Sequence, residues 1–153
     1  MKQLLCIYCL LCMTALACAQ NLKFNANGKF KIVQFTDVHY IFNDPRAEVA
    51  IERINEVLNA ENPDLVMFTG DVIYGKPAEK SMRTVLEQVS KRKIPFAVTF
   101  GNHDDEQGLS REKLFEIIEN IPYSLTATTK GISGTTNFIL PVKSSDGQKD
   151  AEI

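Results

Sequence analysis

The chain has 153 residues, 44% hydrophobic and 24% charged, a composition suited to one globular domain with a sizeable core. A formal charge of −2 and no run of Lys or Arg leave no electrostatic signature for nucleic acid or an anionic membrane surface. Histidine is scarce, with only His39 and His103 in the whole chain.

The first element in chain order reads as a leader. Met1-Lys2 gives a short positive start, and residues 4–17 are almost unbroken apolar sequence. At about 14 residues this stretch is too short to span a bilayer comfortably. Ala17-Cys18-Ala19 fits a small-x-small cleavage pattern, so residues 1–19 read as a signal peptide, with Gln20 as the mature N-terminus. The expected destination is therefore secreted or periplasmic. Lipidation at Cys18 is the second choice, because Ala15 stands where a lipoprotein signal usually has Leu. All four cysteines (Cys6, Cys9, Cys12, Cys18) lie in this leader. Their regular spacing resembles a thiolate metal site, but a leader that is removed cannot hold one, and the mature chain would have no disulfide.

Residues 28–153 read as a single domain. Three short apolar runs, 30–35, 65–68 and 96–100, are rich in Val, Ile and Phe and do not strictly alternate, as expected of strands buried on both faces. Helical patterns follow them. Asp44-Pro45 reads as a cap followed by a first-turn proline, with Ala47, Ile51, Ile54 and Leu58 repeating at helical spacing. Pro77 opens a second helix with Ala78, Met82, Val85 and Val89 on one face. Ser110 opens a third, carrying Leu114, Ile117, Ile118 and Ile121. Beyond Pro122 an apolar run at 137–142 and the turn signal Asp146-Gly147 suggest a hairpin whose return strand would only begin at Ala151. A turn without its second strand would be physically odd, and the C-terminus is read as truncated.

The order β-α-β-α-β-α predicts parallel strands whose carboxyl ends share one edge, where open α/β sheets place their sites. Each strand ends in polar residues: Thr36-Asp37-Val38-His39, Thr69-Gly70-Asp71 and Gly101-Asn102-His103-Asp104. Each motif alone is weak. A D-x-H triplet is common by chance, and a Gly-Asp after a strand is more often a turn. Together they offer aspartates, histidines and an asparagine without thiolate, a donor set suited to Mn, Fe or Zn. Gly70 and Gly101 would let the backbone turn tightly beside such ligands.

D-x-H, G-D and G-N-H-D, separated by about 30 residues on a β-α-β-α-β frame, resemble the calcineurin-like metallophosphoesterases, nearest to their purple-acid-phosphatase-like branch. The resemblance implies the N-terminal half of an α/β/β/α sandwich followed by a hairpin-like segment. It also implies a phosphoester hydrolase using two metal ions, Mn, Fe or Zn, and a metal-bound hydroxide. Carried over by position, Asp37 and His39 match ligands of the first metal, Asp71 the bridging carboxylate, and Asn102 a ligand of the second. His103 matches the group that contacts phosphate and assists the leaving oxygen, and Asp104 its orienting partner. The implied partner is a phosphoester substrate. Two departures stand out. Tyr74 follows Asp71 where true purple acid phosphatases bind ferric iron, but their first motif lacks the histidine. His39 is therefore favoured as the ligand, with Tyr74 packing or bonding nearby, and whether Tyr74 is also a ligand stays open. The family completes its metals with later histidines, and none follows His103 here. The alternative reading is a truncated or non-catalytic metallophosphoesterase fragment that lacks the C-terminal histidine ligands and binds metal or phosphate weakly. Metal identity, mono- or diester preference and oligomeric state stay open.

Overall fold

The computed structural model describes residues 22–153, so the leader expected at 1–19, with its cysteines, lies outside the described residues. Three parallel strands, β1 (Ile32–Phe35), β2 (Leu65–Thr69) and β3 (Phe96–Thr99), form a sheet in the order β1-β2-β3. Between and after them run α1 (Glu48–Glu61), α2 (Ala78–Ser90) and α3 (Arg111–Glu119). The alternation is the α/β order expected from the sequence. Its parallel register (Phe35 opposite Phe68, Thr69 opposite Thr99) brings all three carboxyl ends to one edge.

The period of two in β2 decides which layer each side chain joins. Val66 and Phe68 face the helices and pack with Ile54, Leu58, Met82, Val85, Leu86, Leu114 and Ile118 in the main core. Leu65 and Met67 face the other way, joining Ala97, Leu22, Leu140 and Val142 in a smaller cluster. That second layer is the hairpin of β4 (Pro141–Lys143) and β5 (Asp150–Glu152). The expected turn at Asp146-Gly147 therefore does have its return strand, one residue earlier than predicted. Leu140 and Ile153 exchange both backbone bonds and extend the ladder.

Two sequence expectations need correction. The first helix starts at Glu48, because the Asp44 carboxylate turns back on the Arg46 amide and guanidinium instead of capping a helix. Such Asx-type closure competes with helix initiation. β1 is not buried on both faces. Val33 and Phe35 pack on the helices, but Ile32 on the opposite face is 40% exposed, since β1 lies at the sheet edge beyond the hairpin's cover. The other two helix patterns hold: α2 buries Ala78, Met82, Val85 and Val89, and Ser110 caps α3 by accepting from the Lys113 amide. Among the described residues no helix is long and apolar enough to cross a membrane.

Candidate metal centre

Past the strand ends, the polar segments continue side by side. The amides of Asp37, His39 and Tyr40 donate to the carbonyls of Gly70, Asp71 and Val72, and the Tyr74 amide donates back to Tyr40. Motif one is thus laced to motif two by the backbone itself. Buried Tyr40 anchors this strip to α1 through its hydroxyl, which donates to Glu48 at 2.8 Å. Burial, with Glu48 alongside, pushes that phenol up to about 12.

The third motif is tied in by Asp104. Its carboxylate is fully buried and accepts from four amides: Asp71 and Gly101 on one oxygen, Val72 and Ile73 on the other, at 2.8 to 3.1 Å. Burial pushes this carboxyl upward, and the Gly101, Ile73 and Val72 amides oppose that shift. Asp104 was expected to orient the ring of His103. Its oxygens are instead committed to backbone, joining the loop after β3 to the loop after β2.

Three of the proposed ligand positions sit in the left-handed region: Asp37 at φ 52°, His39 at φ 50° and Asp71 at φ 50°. Such a conformation costs a non-glycine residue roughly 1–2 kcal/mol. Observed strain of this kind, gathered in one place, points to a functional site. What it achieves is visible. The Asp71 carboxylate, nearly buried, spends Oδ1 on the His103 amide at 2.9 Å and turns Oδ2 towards His39. The His39 Nδ1 lies 3.1 Å from the Asp37 carbonyl, an acceptor only, so Nδ1 carries the proton. The other ring nitrogen, Nε2, then points its lone pair at Asp71 Oδ2 across 3.5 Å.

His103 completes the cluster. One ligand atom from each of His39, Asp71 and His103 lies within 4.8 Å of the others. Its Nδ1 is bonded to Glu106 Oε2 at 2.6 Å. That bond, foremost, raises the ring's pKa above the ordinary histidine value, with Asp71 and Asp104 adding to it. The Tyr74 ring stands nearly perpendicular to both imidazoles, its centroid 5.5 Å from that of His39 and 4.9 Å from that of His103. Its side chain borders the site and is half exposed. Asp37 is exposed at the rim, its Oδ2 bonded to the Thr36 hydroxyl at 2.6 Å, and Asn102 is exposed just before His103. Sequence reasoning missed Glu106. The only hint was its place three residues after His103.

A sequence model described as Calcineurin-like phosphoesterase matches residues 30–143. The chain belongs to that family. It is 37% identical to "Phosphatase DCR2" of Saccharomyces cerevisiae, over 88% of this chain and 27% of that protein. It is 33% identical to "Probable inactive purple acid phosphatase 29" of Arabidopsis thaliana, over 77% of this chain and 35% of that one. To "Uncharacterized metallophosphoesterase YkuE" of Bacillus subtilis it is 34% identical, over 49% of this chain and 26% of the relative. The chain spans 25% to 38% of the length of the first four curated relatives it matches.

The family is metal-dependent, and the donor set here fits a cation. A bare imidazole nitrogen facing a carboxylate oxygen places two lone pairs against each other. A metal bonded to both at about 2.0–2.2 Å would set them roughly 3.0–3.4 Å apart, close to the separation observed. His39 also has the backbone-carbonyl partner on its second nitrogen that metal-bound histidines require.

Gly101 shows how closely this site is built. A Cβ there would lie 2.1 Å from Asp71 Oδ1 and 2.4 Å from the Asp71 amide nitrogen. Gly101→Ala is therefore expected to displace the Asp71 carboxylate, weakening metal affinity by about 10- to 100-fold. Metal titration by calorimetry checks this, and unchanged affinity would show that Asp71 is not a ligand.

Proposed function

We propose that the protein hydrolyses phosphoesters with two metal ions, Mn, Fe or Zn, held at the carboxyl edge of the sheet. Asp37, His39, Asp71 and Asn102 are the residues that would hold them. The observation that carries this reading is the His39 Nε2 facing Asp71 Oδ2 at 3.5 Å, on backbone strained at both residues. Bound there, the ions would lower the pKa of an attacking water and neutralise charge on the phosphoryl oxygens.

The chain's own residues supply the rest. Asp71 is fixed by the His103 amide, so its free oxygen has one direction to face. His103, with Nδ1 taken by Glu106, keeps Nε2 for the ester oxygen that leaves. Proton delivery from that atom typically contributes about 10²- to 10⁴-fold. Arg111 donates to the Gly101 carbonyl at 2.7 Å and holds the loop that carries both Asn102 and His103.

His103→Ala tests the assignment. Turnover of an aryl phosphate should fall by about 10²- to 10⁴-fold, with metal content of the same sample retained. Loss of metal in this variant would make His103 a ligand, as its place in the three-residue cluster allows.

A second reading is binding without turnover. It is favoured by relatives named "Probable inactive purple acid phosphatase". Metal bound in the wild-type protein with no hydrolysis of any aryl ester would select it.

A further inference from the structure

His103 is held by a carboxylate that the motif pattern did not single out. Residues Asp104–Gln107 form one turn of 3-10 helix with His103 at its N-cap. At three residues per turn, side chains at i and i+3 eclipse. That places Glu106 directly beside the imidazole, with Oε2 2.6 Å from Nδ1. The other nearby carboxylates are already committed. Both Asp104 oxygens accept backbone amides, Asp105 pairs with Arg111 at 3.3 Å, and Asp71 divides its oxygens between the His103 amide and His39.

The turn is also pinned at both ends. Arg111 reaches the Gly101 carbonyl and Asp105, and Gln107 donates its amide to the His103 carbonyl at 3.2 Å. Tyr74 stands nearly perpendicular to the His103 ring, with centroids 4.9 Å apart. The imidazole is thus gripped on Nδ1 and flanked by Tyr74, and one of its nitrogens lies within 4.8 Å of ligand atoms of Asp71 and His39. Glu106 is half exposed, with 56% of its side chain open to solvent. An ion pair so exposed adds little to stability, so its consequence is orientation.

We infer that Glu106 is a positioning residue: it fixes the His103 ring with the proton on Nδ1 and Nε2 turned to the leaving group. This rests on the reading of His103 in the proposed function. In the step concerned, the ring enters as the imidazolium, having taken a second proton from solvent on Nε2, while the attacking water adds its oxygen to phosphorus and releases a proton to solvent. The bond from phosphorus to the ester oxygen breaks, and that oxygen takes the proton from His103 Nε2. The ring is left neutral with its remaining proton on Nδ1, shared with Glu106. Asp104, next in sequence to the histidine, plays no such part.

Two readouts test this on the full chain. The first needs neither metal nor activity. With two histidines in the sequence, ring-nitrogen NMR of metal-free protein gives two sets of signals, and His39 serves as internal reference. At a pH high enough for the ring to be neutral, the wild-type His103 should show a protonated Nδ1 and a bare Nε2. Glu106→Ala should convert it to a mixture of tautomers, and Glu106→Gln, which still offers an acceptor oxygen, should restore the wild-type pattern. The second readout is leaving-group dependence in metal-loaded protein. Glu106→Ala should slow phenyl phosphate by about 10- to 100-fold through kcat, the scale for losing an outer hydrogen-bond partner. A 2,4-dinitrophenyl ester, whose leaving oxygen needs no proton, should slow by less than about threefold. KM, metal content and Tm should not change.

An unchanged His103 tautomer in Glu106→Ala overturns the inference. A changed tautomer with both esters slowed equally, or neither slowed, overturns the role in catalysis. If wild-type protein hydrolyses neither ester, the proposed function fails, and the NMR result still decides whether Glu106 positions the ring.

Discussion

Replacing Asp71 with alanine is expected to abolish metal retention and turnover together. Asp71 is the one carboxylate that the other motifs converge on: His39 Nε2 faces one oxygen at 3.5 Å, and the His103 amide holds the other at 2.9 Å. No neighbour can substitute, since Asp104 is committed to four amides and Asp37 sits exposed at the rim. Turnover should fall by at least about 10²- to 10³-fold, the scale of losing one preorganised electrostatic contact. Bound metal should fall with it, because ligand removal weakens binding directly. The measurement is metal content by elemental analysis beside turnover of p-nitrophenyl phosphate on one sample. Asp71→Ala that keeps its metal would remove this residue from the centre of the account. The contrast with His103→Ala, which should keep metal and lose turnover, separates holding the ions from acting on the ester.

Asp104→Ala is expected to have the largest effect on stability, about 3–5 kcal/mol, within the range for a buried hydrogen-bond network broken at its hub. Four amides, those of Asp71, Val72, Ile73 and Gly101, lose their acceptor in a site where Asp104 itself has no solvent exposure. Each buried donor left unpaired costs on the order of 1–3 kcal/mol, partly relieved by relaxation or entering water. A protein stable by about 5–15 kcal/mol would be left marginal. Asp104→Asn should not rescue it fully, because its amide group presents hydrogens to backbone donors. Urea unfolding checks both variants. A loss under about 1 kcal/mol for Asp104→Ala would return this carboxylate to a local role beside His103.

The fold was legible because its signals are periodic. The spacing of Met82, Val85 and Val89 and the capping residue Ser110 mark α2 and α3, and three apolar runs between them leave few topologies other than a parallel sheet. The start of α1 was not legible, since Asp44 reads equally as a helix cap or as an Asx turn, and its contact with Arg46 decides for the turn. The exposure of Ile32 was hidden for a different reason. Composition cannot say which strand of a sheet is the edge.

At the site, strand-end placement was enough to bring Asp37, His39, Asp71, Asn102 and His103 to one edge. The left-handed backbone at Asp37, His39 and Asp71 left no trace in the sequence, because aspartate and histidine there are not distinguished from the same residues in ordinary turns. Asp104 and Glu106 were harder still. Both are carboxylates one or three residues from His103, and only the 3-10 turn decides which one reaches the ring and which one turns to the backbone.

The most direct test of the account is turnover measured against metal content as the protein is stripped by chelator and reloaded with Mn, Fe or Zn. Hydrolysis of p-nitrophenyl phosphate should vanish on stripping and return in proportion to the metal rebound. Turnover that survives stripping, or metal that rebinds with no turnover, would contradict it.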